Sequence, residues 1–270
     1  MTAPATNGDE PDTNDAGGSV DGTGVWSHEV GEGPLLALVH GSMDRSAGLL
    51  RLSRRLDERC RVLRYDRRGY GRSVGHPGPF DMEGQIADLE TLLAGRRAVV
   101  FGHSYGGNVA LGLADRHPHL VEAVVVYESP LSWYPWWPGT TAGGDALATR
   151  GDPDDAAERF MRRLIGDDRW EKMPPSNRAA RRAEGAAMVG ELTDLRQRPP
   201  WAPERITVPV TTVHGEKGAP HHRDAMRFLA DLLPGAQNVE IAGARHFGPN
   251  THADAVAEVI ERVLDGVSAG

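Results

Sequence analysis

Six short apolar runs constrain this chain more than any other feature. They are Leu35–His40, Arg61–Asp66, Ala98–His103, Val121–Glu128, Val208–His214 and Asn238–Ala242. Each is of strand length, β-branched in character and punctuated by Gly or Pro, as strands buried on both faces of a parallel sheet are. Helical stretches lie between them. In Asp81–Ala94, the residues Met82, Ile86, Leu89 and Leu93 recur at intervals of 4, 3 and 4, which is one face of a helix. Asn108–Arg116, Ala219–Leu233 and His252–Val267 read similarly. Strand and helix in alternation predict an α/β fold with a doubly wound, mostly parallel sheet. Trp26–Val30 is expected as an antiparallel edge strand feeding the first core strand.

One interval breaks the rhythm. Seventy-nine residues separate Glu128 from Val208, too many for one crossover helix, and they hold five of the six tryptophans. Two charged helical segments, Asp154–Ile165 and Ser176–Arg196, lie within it. The expected organisation is therefore an α/β core, 25–130 and 205–270, with a helical cap or lid, 131–204, inserted between its halves. Residues 1–24 hold five acids and no Lys or Arg. They have too little apolar surface to offset the entropy of ordering and are expected to be disordered. This leader accounts for most of the net charge of −8. The body is nearly balanced, which argues against nucleic acid or an anionic membrane as a partner.

The single Cys60 excludes an internal disulfide and a Cys-based metal site. No apolar run approaches the roughly 18–20 residues that span a bilayer. The leader has neither the basic segment nor the apolar core of a secretory signal, so a cytoplasmic setting is expected.

The sharpest local pattern is Gly102-His103-Ser104-Tyr105-Gly106, which follows the apolar strand Ala98–Phe101 and precedes a helix from Asn108. A G-x-S-x-G in that context puts the serine on a tight strand-to-helix turn, with its Oγ at the carboxyl edge of the sheet. With it go Leu38-Val39-His40-Gly41-Ser42-Met43, Tyr65-Asp66-Arg67-Arg68-Gly69-Tyr70-Gly71-Arg72-Ser73 and Ala244-Arg245-His246-Phe247. In this order the four segments resemble the oxyanion loop, the D-x-R-G-x-G-x-S turn, the nucleophile elbow and the histidine segment of α/β-hydrolases. The resemblance covers roughly residues 25–130 and 205–265. It implies Ser104 as nucleophile, His246 as base, and the backbone N–H groups of Ser42 and Tyr105 as the oxyanion hole. It also implies no cofactor and no metal.

The acid departs from the family pattern. The usual Asp of a G-x-x-D segment after the strand Val208–His214 is here Gly218, in Gly215-Glu216-Lys217-Gly218. Two candidates remain. Glu128 ends the strand that follows the elbow helix, as the acid does in some lactonases of this fold, and Glu216 is the alternative acid. Among the other histidines, His40 and His103 read as structural, and His221–His222 as a surface pair without a neighbouring carboxylate for a metal site.

A serine at position 104 argues against relatives that need Asp there, and favours acyl transfer to water. The expected activity is that of a carboxylesterase or lactonase on an apolar or aromatic small-molecule ester. The alternatives are a C–C bond hydrolase of a β-diketone-like compound and a ligand-binding protein that has lost the triad acid. Met43, Trp133, Trp136 and Trp137 are expected to line the substrate pocket.

Overall fold

The pleat of the central strands separates two apolar layers. In the computed structural model, which describes residues 18–20, 22, 24–148 and 151–268, Leu36 and Leu38 face one layer, and Ala37 and Val39 the other. Period-two alternation with both faces apolar is what a sheet covered on both sides requires. The chain runs β1 (Ser19–Val20), β2 (Trp26–Val30), β3 (Leu35–Val39), α1 (Leu50–Leu56), β4 (Arg61–Asp66) and α2 (Met82–Leu93). It continues through β5 (Ala98–His103), α3 (Tyr105–Arg116) and β6 (Val121–Tyr127). After a long excursion comes β7 (Val210–Gly215). Among the described residues the sheet has eight strands in the order β1-β2-β4-β3-β5-β6-β7, closed by the strand Gln237–Ile241. β2 pairs antiparallel with β1 and β4, and all other pairs are parallel. The expected doubly wound α/β sheet is present.

Among the described residues the excursion between β6 and β7 holds five α-helices: α4 (Ala142–Leu147), α5 (Pro153–Ile165), α6 (Asp167–Lys172), α7 (Pro175–Arg182) and α8 (Gly185–Gln197). α9 (Pro220–Leu232), β8 (Gln237–Ile241), α10 (Gly248–Thr251) and α11 (Ala253–Ser268) complete the chain. The segment expected as one helix, Ser176–Arg196, is broken at Glu184. That side chain is buried and accepts from Arg45 Nε and the Gly71 backbone N–H, each at 2.9 Å, which pins the turn to the core.

Two expectations at the N-terminal side need correction. Trp26–Val30 is not the sheet edge, because β1 lies outside it with Ser19 opposite Ser27 and Val20 opposite Trp26. The leader expected to be disordered therefore has two residues paired in the sheet, and residues 1–17 lie outside the described residues. Among the described residues no helix is long and apolar enough to cross a membrane.

Candidate active site

Ser104 sits between β5 and α3 with φ 52° and ψ −124°, a left-handed conformation rare for a residue with a side chain. Close approach enforces the turn. A Cβ on Gly102 would lie 2.4 Å from Gly106 O, and one on Gly106 would lie 2.3 Å from Val39 O. The Ser104 N–H donates to Tyr127 O at 2.8 Å, tying the elbow to the end of β6. Tyr105 opens α3, so its backbone N–H belongs to the first turn, where no intrahelical acceptor is available.

Glu128 follows β6 with φ 47°, a second left-handed residue at the same sheet edge. Its N–H donates to Val213 O at 3.0 Å, and its Oε1 accepts from the Gly215 N–H at 3.0 Å. Its Oε2 lies 2.8 Å from His246 Nδ1, and the carboxylate is fully buried. Non-glycine residues held at positive φ cluster where function requires the strain. Of the four among the described residues, Met43, Ser104 and Glu128 are at this edge and only Ala94 is elsewhere. Glu216 turns the other way, accepting from the Gly243 N–H at 2.7 Å, so its carboxylate is occupied in holding the turn after β8. Gly218, where the family pattern carries its acid, packs on Glu128: a Cβ there would lie 2.2 Å from Glu128 Oε1.

The loop bearing His246 is anchored from the strand ends. His103 Nε2 donates to His246 O at 2.8 Å, and the Tyr127 hydroxyl donates to Arg245 O at 2.8 Å. Burial, then the neighbouring His246, hold His103 down to about 3, so its ring is neutral and its Nε2 carries the proton. With Nδ1–H of His246 directed at Glu128, the Nε2 of that ring is left as an acceptor. The oxyanion-loop candidates are held from beneath. His40 Nε2 accepts from the Arg67 N–H at 2.9 Å, which assigns its proton to Nδ1, 2.8 Å from Gly41 O. The buried Arg67 guanidinium also donates to His40 O and Gly41 O at 2.9 and 3.0 Å, and pairs with Glu191 of α8 at 2.7 Å. With its carbonyls drawn down to Arg67, the strand-to-loop turn carries Gly41 to within contact of Ser104, where a Cβ would meet Ser104 Cβ at 2.9 Å.

Two cavities meet at Ser42, Ser104 and His246. The larger, about 470 Å³, runs past Met43 and Met161 toward Arg181 and Lys172. The smaller, about 300 Å³, runs past Trp137 and His222 toward Arg196. Of the four residues expected at the pocket, Met43 lines the larger cavity and Trp137 the smaller, and the other two tryptophans line neither. Trp133 packs edge-on against Trp201 at 5.4 Å, and Trp201 donates to Asn108 of α3, so this pair anchors the excursion to the core. Trp136 is 42% exposed and stacks on Tyr134 outside both cavities.

The histidine pair at 221–222 is a further correction. The His222 ring stacks on His246 at 4.6 Å, and Trp137 stands edge-on to both members of the pair. Burial and His246 push His222 well below the usual imidazole range. Ligand atoms of Glu128, His222 and His246 lie within 4.8 Å of one another, so the pair has a carboxylate neighbour after all. The hydrogen bond between Glu128 and His246 already engages two of those atoms. The sequence carried a signal for this: the pair sits at the start of α9, directly after the loop that in the family brings the acid.

The chain matches the alpha/beta hydrolase family over residues 36–259. It is 26% identical over 259 residues to the 2-(acetamidomethylene)succinate hydrolase of Mesorhizobium japonicum, covering 88% of this chain and 90% of that protein. Among solved structures it resembles the enol-lactonase of Burkholderia xenovorans, with a TM-score of 0.70 at 24% identity over 92% of this chain and 99% of that one. A thermophilic esterase of Thermogutta terrifontis also superposes with a TM-score of 0.70, at 22% identity over 90% of this chain and 93% of that one.

Proposed function

Because the chain belongs to the alpha/beta hydrolase family, we propose that it is a serine hydrolase that cleaves an ester or lactone of a small molecule through Ser104, His246 and Glu128. The observation that carries this reading is the 2.8 Å contact between Glu128 Oε2 and His246 Nδ1 at the edge where Ser104 sits with positive φ.

In this mechanism His246 Nε2 takes the proton of Ser104 Oγ as the oxygen attacks the carbonyl carbon. Glu128 holds the imidazole tautomer and stabilises the imidazolium that forms. The backbone N–H groups of Ser42 and Tyr105 receive the oxyanion. The imidazolium then protonates the leaving oxygen, giving an acyl-enzyme and the free alcohol. Water, deprotonated by His246, hydrolyses the acyl-enzyme and restores Ser104. The five-helix excursion serves as the cap, and the two cavities beneath it hold the acyl and leaving groups. The enol-lactonase and esterase among the similar structures support ester-type chemistry.

The test is turnover of short p-nitrophenyl esters and a lactone panel by the full chain, with a β-diketone included. Ester or lactone hydrolysis that Ser104→Ala abolishes supports the reading. Turnover of the diketone alone replaces it with C–C hydrolysis, and inactivity of wild type across all three replaces it with ligand binding.

A further inference from the structure

Several arginines in and around the excursion are matched to acids. Arg162, Arg178 and Arg182 bond to Glu171, Glu158 or Asp155, Arg163 lies 3.3 Å from Asp145, and Arg45 and Arg181 share Glu184. Arg196 on α8 is different. Its one hydrogen bond among the described residues is to its own helix, Nη1 to Leu192 O at 3.0 Å, and no carboxylate there pairs with it. It is nonetheless half-buried, and burial alone lowers its pKa, with no acid opposing that effect.

The surroundings share this bias. Arg196 lines the smaller of the two cavities that meet at Ser104, and no Asp or Glu among the described residues lines that cavity. Three polar atoms of its lining are buried without a protein partner: Ser42 Oγ, Ser132 Oγ and His222 Nδ1. Gly143 leaves the guanidinium its space, since a Cβ there would lie 3.0 Å from Arg196 Nη2. A cation desolvated beside unfilled hydrogen-bonding groups is costly unless an anion completes it.

We propose that Arg196 is the receptor for a carboxylate carried by the substrate, so that the enzyme selects anionic esters over neutral ones. This rests on the hydrolase reading above for the chemistry at Ser104, but not for the binding itself. A guanidinium in a site of low polarity binds a carboxylate through two parallel N–H···O bonds, which Lys reproduces only as a point charge.

Two ester pairs test it in the full-length enzyme. One is p-nitrophenyl hydrogen glutarate against p-nitrophenyl valerate, with the charge on the acyl side. The other is 4-carboxyphenyl butyrate against 4-nitrophenyl butyrate, with the charge on the leaving group. In at least one pair, Arg196→Met should lower the anionic-to-neutral ratio of kcat/KM by about tenfold or more, chiefly through KM, and Arg196→Lys should restore part of it. Arg196→Gln serves if the Met variant does not fold. Binding is read separately by calorimetry of glutarate on the Ser104→Ala protein, where adding Arg196→Met should weaken the affinity by about tenfold or more. Equal ratios in wild type and variant for both pairs, with glutarate binding unchanged, would overturn the proposal while leaving the hydrolase reading intact. If no ester is turned over at all, the hydrolase reading fails, and calorimetry alone decides: Arg196-dependent glutarate binding upholds the receptor, and its absence removes it.

Discussion

The exchange of a carboxylate at one position for glycine at another is the central residue-scale feature of the site. Glu128 reaches His246 only because position 218 carries no side chain: an Asp there would compete for the volume that Glu128 Oε1 occupies. The two positions are therefore coupled. Glu128→Gln should keep the fold and lower kcat on the order of 10²–10⁴-fold, because the imidazole loses the group that fixes its tautomer. Gly218→Asp alone should lower kcat and stability together, since it crowds a buried carboxylate with a second one. Combined as Glu128→Ala with Gly218→Asp, the new acid gains both space and partner, and activity should recover above that of Glu128→Ala. Steady-state kinetics of the four proteins measures this coupling, and strictly multiplicative effects would sink it. Half of this feature was legible in the sequence. The glycine at 218 stood out, as did a Glu at the tip of a Val-rich strand, but which of Glu128 and Glu216 contacts His246 needed coordinates, because it depends on which carboxylate the turn after β8 claims.

At the scale of elements, the strands were legible and the helices of the excursion only in part: α5 lies where Asp154–Ile165 is read as a helix, while Ser176–Arg196, read as one helix, is two. Buried parallel strands write themselves as contiguous β-branched runs, whereas α4, α6 and α7 are short and the excursion is held by partners distant in sequence. Neither α4 nor α6 has an apolar stripe long enough to read, and the fate of Trp133 and Trp136 turned on Trp201 and Tyr134. The most consequential long-range link is that between α8 and the loop after β3. Burial opposes the charge of Arg67, yet Glu191 and the Tyr70 hydroxyl bonded to it at 2.6 Å enclose the guanidinium and hold it above its usual range. Through Arg67, α8 thus fixes the His40 and Gly41 carbonyls beneath Ser104. Glu191→Ala leaves Arg67 buried and unpaired, and should cost about 3–5 kcal/mol of stability. Glu191→Gln, which can still accept from Tyr70 and Arg67, should unfold less easily than Glu191→Ala but still lower kcat, because the loop is held by a neutral acceptor. Urea unfolding and kcat of the two variants check both parts, and an Ala variant as stable as wild type would show that the pair does not hold the cap to the loop.

For the molecule as a whole, buried neutral histidines set how the fold responds to acid. His40, His103 and His222 are all pushed below the usual imidazole range, in each case first by burial, and then by Arg67 for His40 and by His246 for the other two. In the unfolded chain each titrates near 6.5. Below that pH the unfolded state takes up protons that the native state refuses, so unfolding becomes easier as pH falls; above it these groups add no pH dependence. For His103 the loss continues until the native ring itself protonates, at about 3. The cost follows from the geometry, because its Nε2–H is committed to His246 O and its Nδ1 is buried without a hydrogen bond among the described residues, with Asp44 Oδ2 4.0 Å away. Between pH 6.5 and 5, above the range where most carboxylates titrate, His103 alone should remove about 2 kcal/mol of stability. His103→Asn keeps a donor toward His246 O and removes the titration. Urea unfolding at the two pH values should therefore show a smaller loss in His103→Asn than in wild type, by about that amount, whatever the absolute stability of the variant. Equal losses in the two proteins would mean that His103 accepts a proton in the folded state, and with it that the strand-end anchor of the His246 loop is weaker than its 2.8 Å hydrogen bond implies.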